Sequence, residues 1–215
     1  MARRQQEKSR QTKEELLVSA MSLFGRKGFA ATTIAEITKE AGYAKGSFYS
    51  HWAGKDDIFL EILERKMGQY REERSRKIRE AVTFEDCFDV IWDFLESIMD
   101  DMNWSKVFLE FTVHAARDDR LKAELNRSKY RLSNEIFKEL IGDYVLADCA
   151  PEKIGSLNTA LFEGFLIQNV LQTDVLSRQD VRRAALALAK AHCLGEQKRC
   201  DATAGTEREN PESKE

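Results

Sequence analysis

Between Gly28 and Gly54 the chain is punctuated so closely that only short helices and a tight turn fit. An apolar first helix stops at Gly28. A second follows Thr33, whose hydroxyl can cap it while Glu36 reaches back, and Ile34, Ile37 and Ala41 recur at helical spacing before Gly42 ends it. Shortly afterwards Gly46-Ser47-Phe48-Tyr49-Ser50-His51-Trp52 forms a third segment, which runs to the break at Ala53-Gly54. Two short helices around a glycine turn are the helix-turn-helix arrangement. The helix ahead of them is expected from about Ser9 or Thr12 to Lys27. Thr12 and Glu15 have capping-box spacing, and Leu16, Leu17, Ala20, Leu23 and Phe24 share a face.

Beyond Lys55 the texture is that of long helices. Asp56 and Asp57 suit a helix start, and Ile58, Phe59, Ile62, Leu63, Met67 and Tyr70 follow at helical spacing before a highly charged end, as in an exposed connector. The cleanest amphipathic pattern is Phe84, Cys87, Phe88, Ile91, Leu95, Ile98, Met99 and Met102. Further helices are expected over 104–116, from 119 to about 144, from Pro151, and from 177 to about 194, where Ser177 and Asp180 offer another cap. With 2 prolines, 11 glycines mostly at element ends and no strand-like run, the predicted class is all-α. Residues 196–215 carry almost no apolar side chain and are expected to be disordered.

Charge and composition narrow the function. Residues 1–55 hold ten Lys/Arg against five acids, while the whole chain has net charge −3, so a basic head sits on an acidic body. That asymmetry suits contact between the head alone and a polyanion such as nucleic acid. No apolar window is long enough to cross a membrane, and the basic N-terminus develops no apolar core, so a soluble cytoplasmic protein is expected. Cys87, Cys149, Cys193 and Cys200 are spaced like reduced thiols. His192, Cys193 and Cys200 lack a fourth metal ligand, so no metal or other cofactor is expected. Three scattered histidines and the lack of a phosphate-binding glycine loop speak against an enzyme.

A helix that enters the major groove must be short, stand clear of its domain and carry small or polar residues at its tip. Lys45, Gly46 and Ser47 fit that tip, with Gly46 letting backbone come close. Tyr49 and His51 add polar ends, Lys55 opens the next helix, and Thr33 can bring a hydroxyl and a helix N-terminus to a phosphate. The stretch from Gly28 to Ile58 resembles the DNA-binding signature of TetR-type bacterial transcriptional regulators. Phe24, Gly28, Thr32, Thr33, Ile37, Ala41, Gly42, Lys45, Gly46, Phe48, Tyr49, His51, Trp52 and Lys55 match its pattern. Tyr43 and Ala44 depart from it, replacing a small aliphatic residue and a capping serine, and Trp52 stands where phenylalanine is usual. The resemblance implies phosphate contacts from Thr33, Tyr49, His51 and Lys55. It implies base-facing positions at Tyr43, Ala44, Lys45 and Ser47. It also implies the architecture: a three-helix DNA-binding domain over 1–54 with a basic arm over about 1–9, then a helical ligand-binding and dimerisation bundle over 55–195.

Two expectations concern that body. Its rings exceed what single amphipathic faces need, so a pocket for an apolar small-molecule effector is expected among Phe88, Trp92, Phe108, Phe111, His114, Phe165 and Asn169, although packing alone can account for any one of them. The helix from Pro151 is apolar on more than one side, and Gly164 and the alanines after Arg183 permit close approach. Leu161, Ile167, Val170 and Leu186 are therefore expected in a homodimer interface. The whole reads as a repressor released from a palindromic double-stranded operator by its effector. The alternatives are a constitutive regulator, or a helical carrier or interaction module with a vestigial helix-turn-helix.

Overall fold

A computed structural model describes residues 2–81, 83–127, 137 and 150–193. Among these the regular structure is helical throughout: α1 Ala2–Lys27, α2 Ile34–Glu40, α3 Lys45–Tyr49, α4 Lys55–Glu80, α5 Phe84–Asp100, α6 Met102–Ala115, α7 Asp119–Leu125, α8 Pro151–Leu171 and α9 Arg178–Cys193. Helices α1–α3 form the head. The expected helix from 119 to about 144 is described only in its first turns, and the expected tail lies outside the described residues.

Helix ends follow local chemistry. Thr33 and Glu36 form the capping box on α2, Thr83 and Asp86 one on α5, and Ser177 and Asp180 exchange the same pair of bonds before α9. Gly28 (φ 84) donates its N–H to the Phe24 carbonyl at 2.8 Å and ends α1 in the left-handed conformation. Gly42 (φ 77) does the same for α2, with Gly42 N–H on Lys39 O at 3.2 Å and Tyr43 N–H on Thr38 O at 2.8 Å, the paired bonds of a Schellman turn.

Two boundaries differ from the sequence expectation. α1 begins at Ala2 rather than near Thr12, because nothing between Arg3 and Gln11 breaks a helix; the Thr12 hydroxyl donates back to Lys8 O at 3.0 Å and Glu15 faces Tyr43. The pattern that reached Met102 stops at Asp101, which closes α5 and caps α6 by accepting the Trp104 N–H at 2.9 Å.

One continuous apolar core joins head and body. Leu16, Leu17, Leu23, Phe24, Ile37, Phe48 and Trp52 are buried within the head, and Ile58, Phe59, Ile62 and Leu63 of α4 carry the core onward to Trp104, Phe108 and Phe111 of α6. Phe59 stacks on Phe111 at 4.0 Å and on Trp104 at 5.5 Å, pairs of a kind that add about 0.5–1.5 kcal/mol beyond their burial. Deeper in the body, Trp92 donates its indole N–H to Asn158 Oδ1 at 3.3 Å, and Asn158 donates to Ile154 O, so this polar pair is satisfied although fully enclosed.

α5 and α9 run antiparallel along a row of opposite charges. Arg178 reaches Asp100 at 2.6 Å, Arg182 reaches Asp89 at 2.8 Å, Asp93 at 2.9 Å and Glu96 at 3.5 Å, and Lys190 pairs with Glu85. Most of these groups are exposed, where such a pair contributes about 0–1 kcal/mol.

Candidate nucleic-acid interface

The recognition segment is built from weak local parts on a firm base. α3 has five residues; its N-cap Ala44 is extended (φ −74, ψ 152) and supplies no side-chain hydrogen bond, and Gly46 lies inside the helix. What holds it is burial: Phe48 is fully enclosed, Trp52 is 6% exposed, and their rings lie 5.3 Å apart. Trp52 donates its indole N–H to Glu61 of α4 at 2.8 Å, and Lys13 of α1 pairs with the same carboxylate at 2.9 Å. Arg65 bridges Glu61 and Glu14, so α1, α4 and the segment that follows α3 share one polar seam. Ion pairs Arg26–Glu40 and Lys27–Glu36 fix α2 against the end of α1. The Lys27 ammonium, with the two Thr33 bonds, holds the Glu36 carboxyl at a pKa of about 2.

On that base a small surface faces outward. Ala44, Lys45, Gly46 and Tyr49 are exposed and Ser47 is half-buried. The Lys45 ammonium lies 5.8 Å from the Tyr49 ring centroid, placing a cation and a phenol side by side. A Cβ built on Gly46 would meet nothing within 4 Å, so its missing side chain leaves open space in the free protein. His51 is half-buried with its ring 5.4 Å from Trp52.

Three other expected contact residues have their polar ends engaged inside the protein. The Thr33 hydroxyl accepts the Glu36 N–H at 3.3 Å and donates to its carboxylate at 2.9 Å. The Tyr43 hydroxyl donates to Glu15 of α1. The Lys55 ammonium, expected at a phosphate, donates to the carbonyls of Phe29 at 2.7 Å, Thr32 at 2.9 Å and Ala30 at 3.2 Å, which occupies all three of its N–H groups. Burial pushes Lys55 below the ordinary lysine pKa, against the opposing pull of Asp56 and Glu110. It clamps the loop between α1 and α2.

The expected pocket residues do not converge on one place. Phe88, Trp92, Phe108 and Phe165 are buried in the body core, whereas Phe111 belongs to the cluster joining body to head. His114 is exposed with Nε2 2.9 Å from Asp56 Oδ1, because its position lies at the margin of the α6 stripe marked by Trp104, Phe108, Phe111 and Ala115. Asn169 is half-buried, with its amide nitrogen enclosed and without a hydrogen-bond partner among the described residues. A groove of about 280 Å³ opens instead between α1, α4 and α6, lined by Met21, Gly25, Lys66, Asp101, Asn103 and Trp104 among others.

Of the expected interface residues, Ile167 is 47% exposed, while Leu161, Val170 and Leu186 are half-buried. Leu157 and Leu171 extend the exposed apolar side of α8, and Gly164 between them has open space beside it.

Comparison with known proteins agrees with this geometry. A family model described as bacterial regulatory proteins, tetR family, matches residues 16–62, and one described as BetI-type transcriptional repressor, C-terminal, matches residues 88–194. The uncharacterised HTH-type transcriptional regulator YerO of Bacillus subtilis is 45% identical over 56 residues, 26% of this chain, and the match spans only 19% of that relative's length. The crystal structure of a TetR-family transcriptional regulator from Syntrophomonas wolfei superposes with a TM-score of 0.69 at 17% identity, covering 85% of this chain and 94% of that one. FadR of Bacillus subtilis, solved in complex with stearoyl-CoA, gives a TM-score of 0.64 at 18% identity, covering 85% and 98%. Identities this low speak for the fold alone. With an exposed recognition segment on a buried aromatic base, helices throughout the described body, and two family models matching most of its length, the chain belongs to the TetR family of bacterial regulatory proteins.

Proposed function

We propose that the protein is a cytoplasmic transcriptional regulator, not an enzyme, that binds a palindromic DNA operator as a homodimer and is released by an apolar small molecule. The observation that carries this reading is the α3 tip, where Lys45, Gly46 and Tyr49 stand clear of the domain while Phe48 and Trp52 anchor them from below. The boundaries follow: residues 1–54 read DNA, and residues 55–195 pair the subunits and take the effector. Exposed Leu157, Ile167 and Leu171, with Gly164 between them, supply an apolar side of α8 suited to a second copy. The fold shared with a regulator solved with stearoyl-CoA, and the ring-rich core of α5, α6 and α8, favour an effector with a large apolar part. No helix among the described residues is long and apolar enough to cross a membrane.

Selection from a randomised duplex library tests the reading. The full chain should enrich inverted repeats with half-sites about one helical turn apart, about 34–36 Å centre to centre. Enrichment of no sequence, or of single-stranded contaminants only, would rule the reading out.

A further inference from the structure

Phe29 belongs to a loop, yet it is held on every side. Its ring is 2% exposed and lies 5.4 Å from Phe24 and from Phe59, 5.1 Å from Phe111 and 5.2 Å from His114. The Lys55 ammonium sits 4.4 Å from the ring centroid while bonding the Phe29 carbonyl. The Phe29 N–H donates to one carboxylate oxygen of Glu110 at 2.7 Å, and the Ala30 N–H donates to the other at 2.8 Å. Two consecutive α6 side chains, Glu110 and Phe111, thus take the backbone and the ring of the same loop residue. A Cβ on Gly28 would lie 2.8 Å from Glu110 Oε2, so this glycine serves the left-handed turn and also clears the approach of the carboxylate.

We propose that Glu110 is a positioning residue for DNA recognition: by gripping Phe29 and Ala30 it lets α6 set the angle at which α2 and α3 are presented. The proposal rests on the DNA-binding dimer described above. The gripped loop ends at Thr33, the cap of α2, so loop and helix-turn-helix move together. α4 runs on from the head into the body and α1 packs on α6 beside it; the Glu110 grip adds a hydrogen-bonded attachment at the loop that leads into α2. Asp56–His114 and Asp57–Arg120 tie α6 and α7 only to the first turn of α4, through exposed pairs that water weakens. The Glu110 bonds are charge-assisted and cross to the loop itself. In a symmetric dimer the angle of each head fixes the separation of the two recognition helices, and that separation selects the half-site spacing.

The test compares the full-length wild type with Glu110→Ala and Glu110→Gln. Without DNA, exchange of the Phe29 and Ala30 amides should quicken by at least about tenfold in Glu110→Ala, with the Glu36 amide unchanged. Glu110→Gln, which keeps one carbonyl acceptor, should fall between. On duplexes selected by the wild type, adding one base pair between half-sites should weaken wild-type binding by about tenfold or more and Glu110→Ala by no more than about twofold, with single half-site affinity equal in both. Unchanged spacing discrimination in a folded Glu110→Ala, or amides unprotected in the wild type, overturns the proposal. Should the wild type select no duplex while the amides respond as expected, the DNA-binding reading fails and the grip on the loop stands. If duplexes are selected but the amides do not respond, the grip fails and the reading stands.

Discussion

Replacing Gly46 by alanine should move stability and DNA binding in opposite directions. Glycine inside a helix costs about 0.5–1 kcal/mol relative to alanine, because the unfolded chain loses more freedom on folding. Here nothing offsets the gain from alanine: the added Cβ meets no atom within 4 Å, and Gly46 is not among the positive-φ glycines. The free protein should therefore gain about 0.5–1 kcal/mol, a melting temperature higher by about 1–4 °C for a chain of this size. On DNA the same methyl would occupy the space through which the α3 backbone approaches the duplex. An operator affinity at least about tenfold weaker, or about 1.4 kcal/mol, is expected. Thermal melts and fluorescence-anisotropy titrations on a selected duplex measure both in one preparation. A variant that melts higher and binds as the wild type does would show that Gly46 is not at the interface. One that melts lower would show that α3 is not helical at this position in the free protein.

The remaining predictions address other parts of the head and the body. Lys55→Met should lower stability by about 1–3 kcal/mol, since three carbonyls lose a charged donor; the salt slope of DNA binding should stay as in the wild type, whereas loss of a phosphate contact would reduce it by about one. Glu36 has a folded pKa of about 2, below the ordinary 4.5, so its contribution is complete above pH 4.5 and lost as pH falls toward 2. Melts of the wild type and Glu36→Gln should accordingly converge across that window, and a gap that persists at the acid end would contradict the capping box. Ile167→Asp should raise the dimer dissociation constant by at least about tenfold in light-scattering dilution series. Unaltered dimers would direct attention away from the exposed side of α8.

The head was legible because its signals are short-range. Gly28, Thr33, Glu36 and Gly42 each act within a turn of themselves, and all four do in the structure what their spacing predicts. What short-range signals leave out is a distant partner. The Tyr43 hydroxyl finds Glu15 across the head, and Lys55 finds the carbonyls 23 to 26 residues before it. Glu110 finds amides about 80 residues away, a pairing no local pattern encodes. Phe29 belongs to no helical period, yet a large apolar ring just after a helix-stopping glycine commonly packs back on the helix end, as Phe29 does on Phe24. In the body, periodicity identified the apolar faces of α5 and α6 but could not separate Phe111 and His114, near the head, from Trp92, which bonds Asn158 of α8.

The row of charges between α5 and α9 works as a length gauge. It begins at Glu85 in the first turn of α5 and ends at Asp100, that helix's last residue, with Lys190 and Arg178 opposite the two ends. Sliding α9 by one helical turn, about 5.4 Å, in either direction carries one terminal cation past the last acid available to it. Arg182, shared among Asp89, Asp93 and Glu96, tolerates small shifts that the end pairs forbid. Interactions too weak to hold the fold together can in this way index one helix against another. Because α9 packs on α8, whose outer side is the surface proposed for a second subunit, that index would carry through to how far apart the two heads of such a dimer stand.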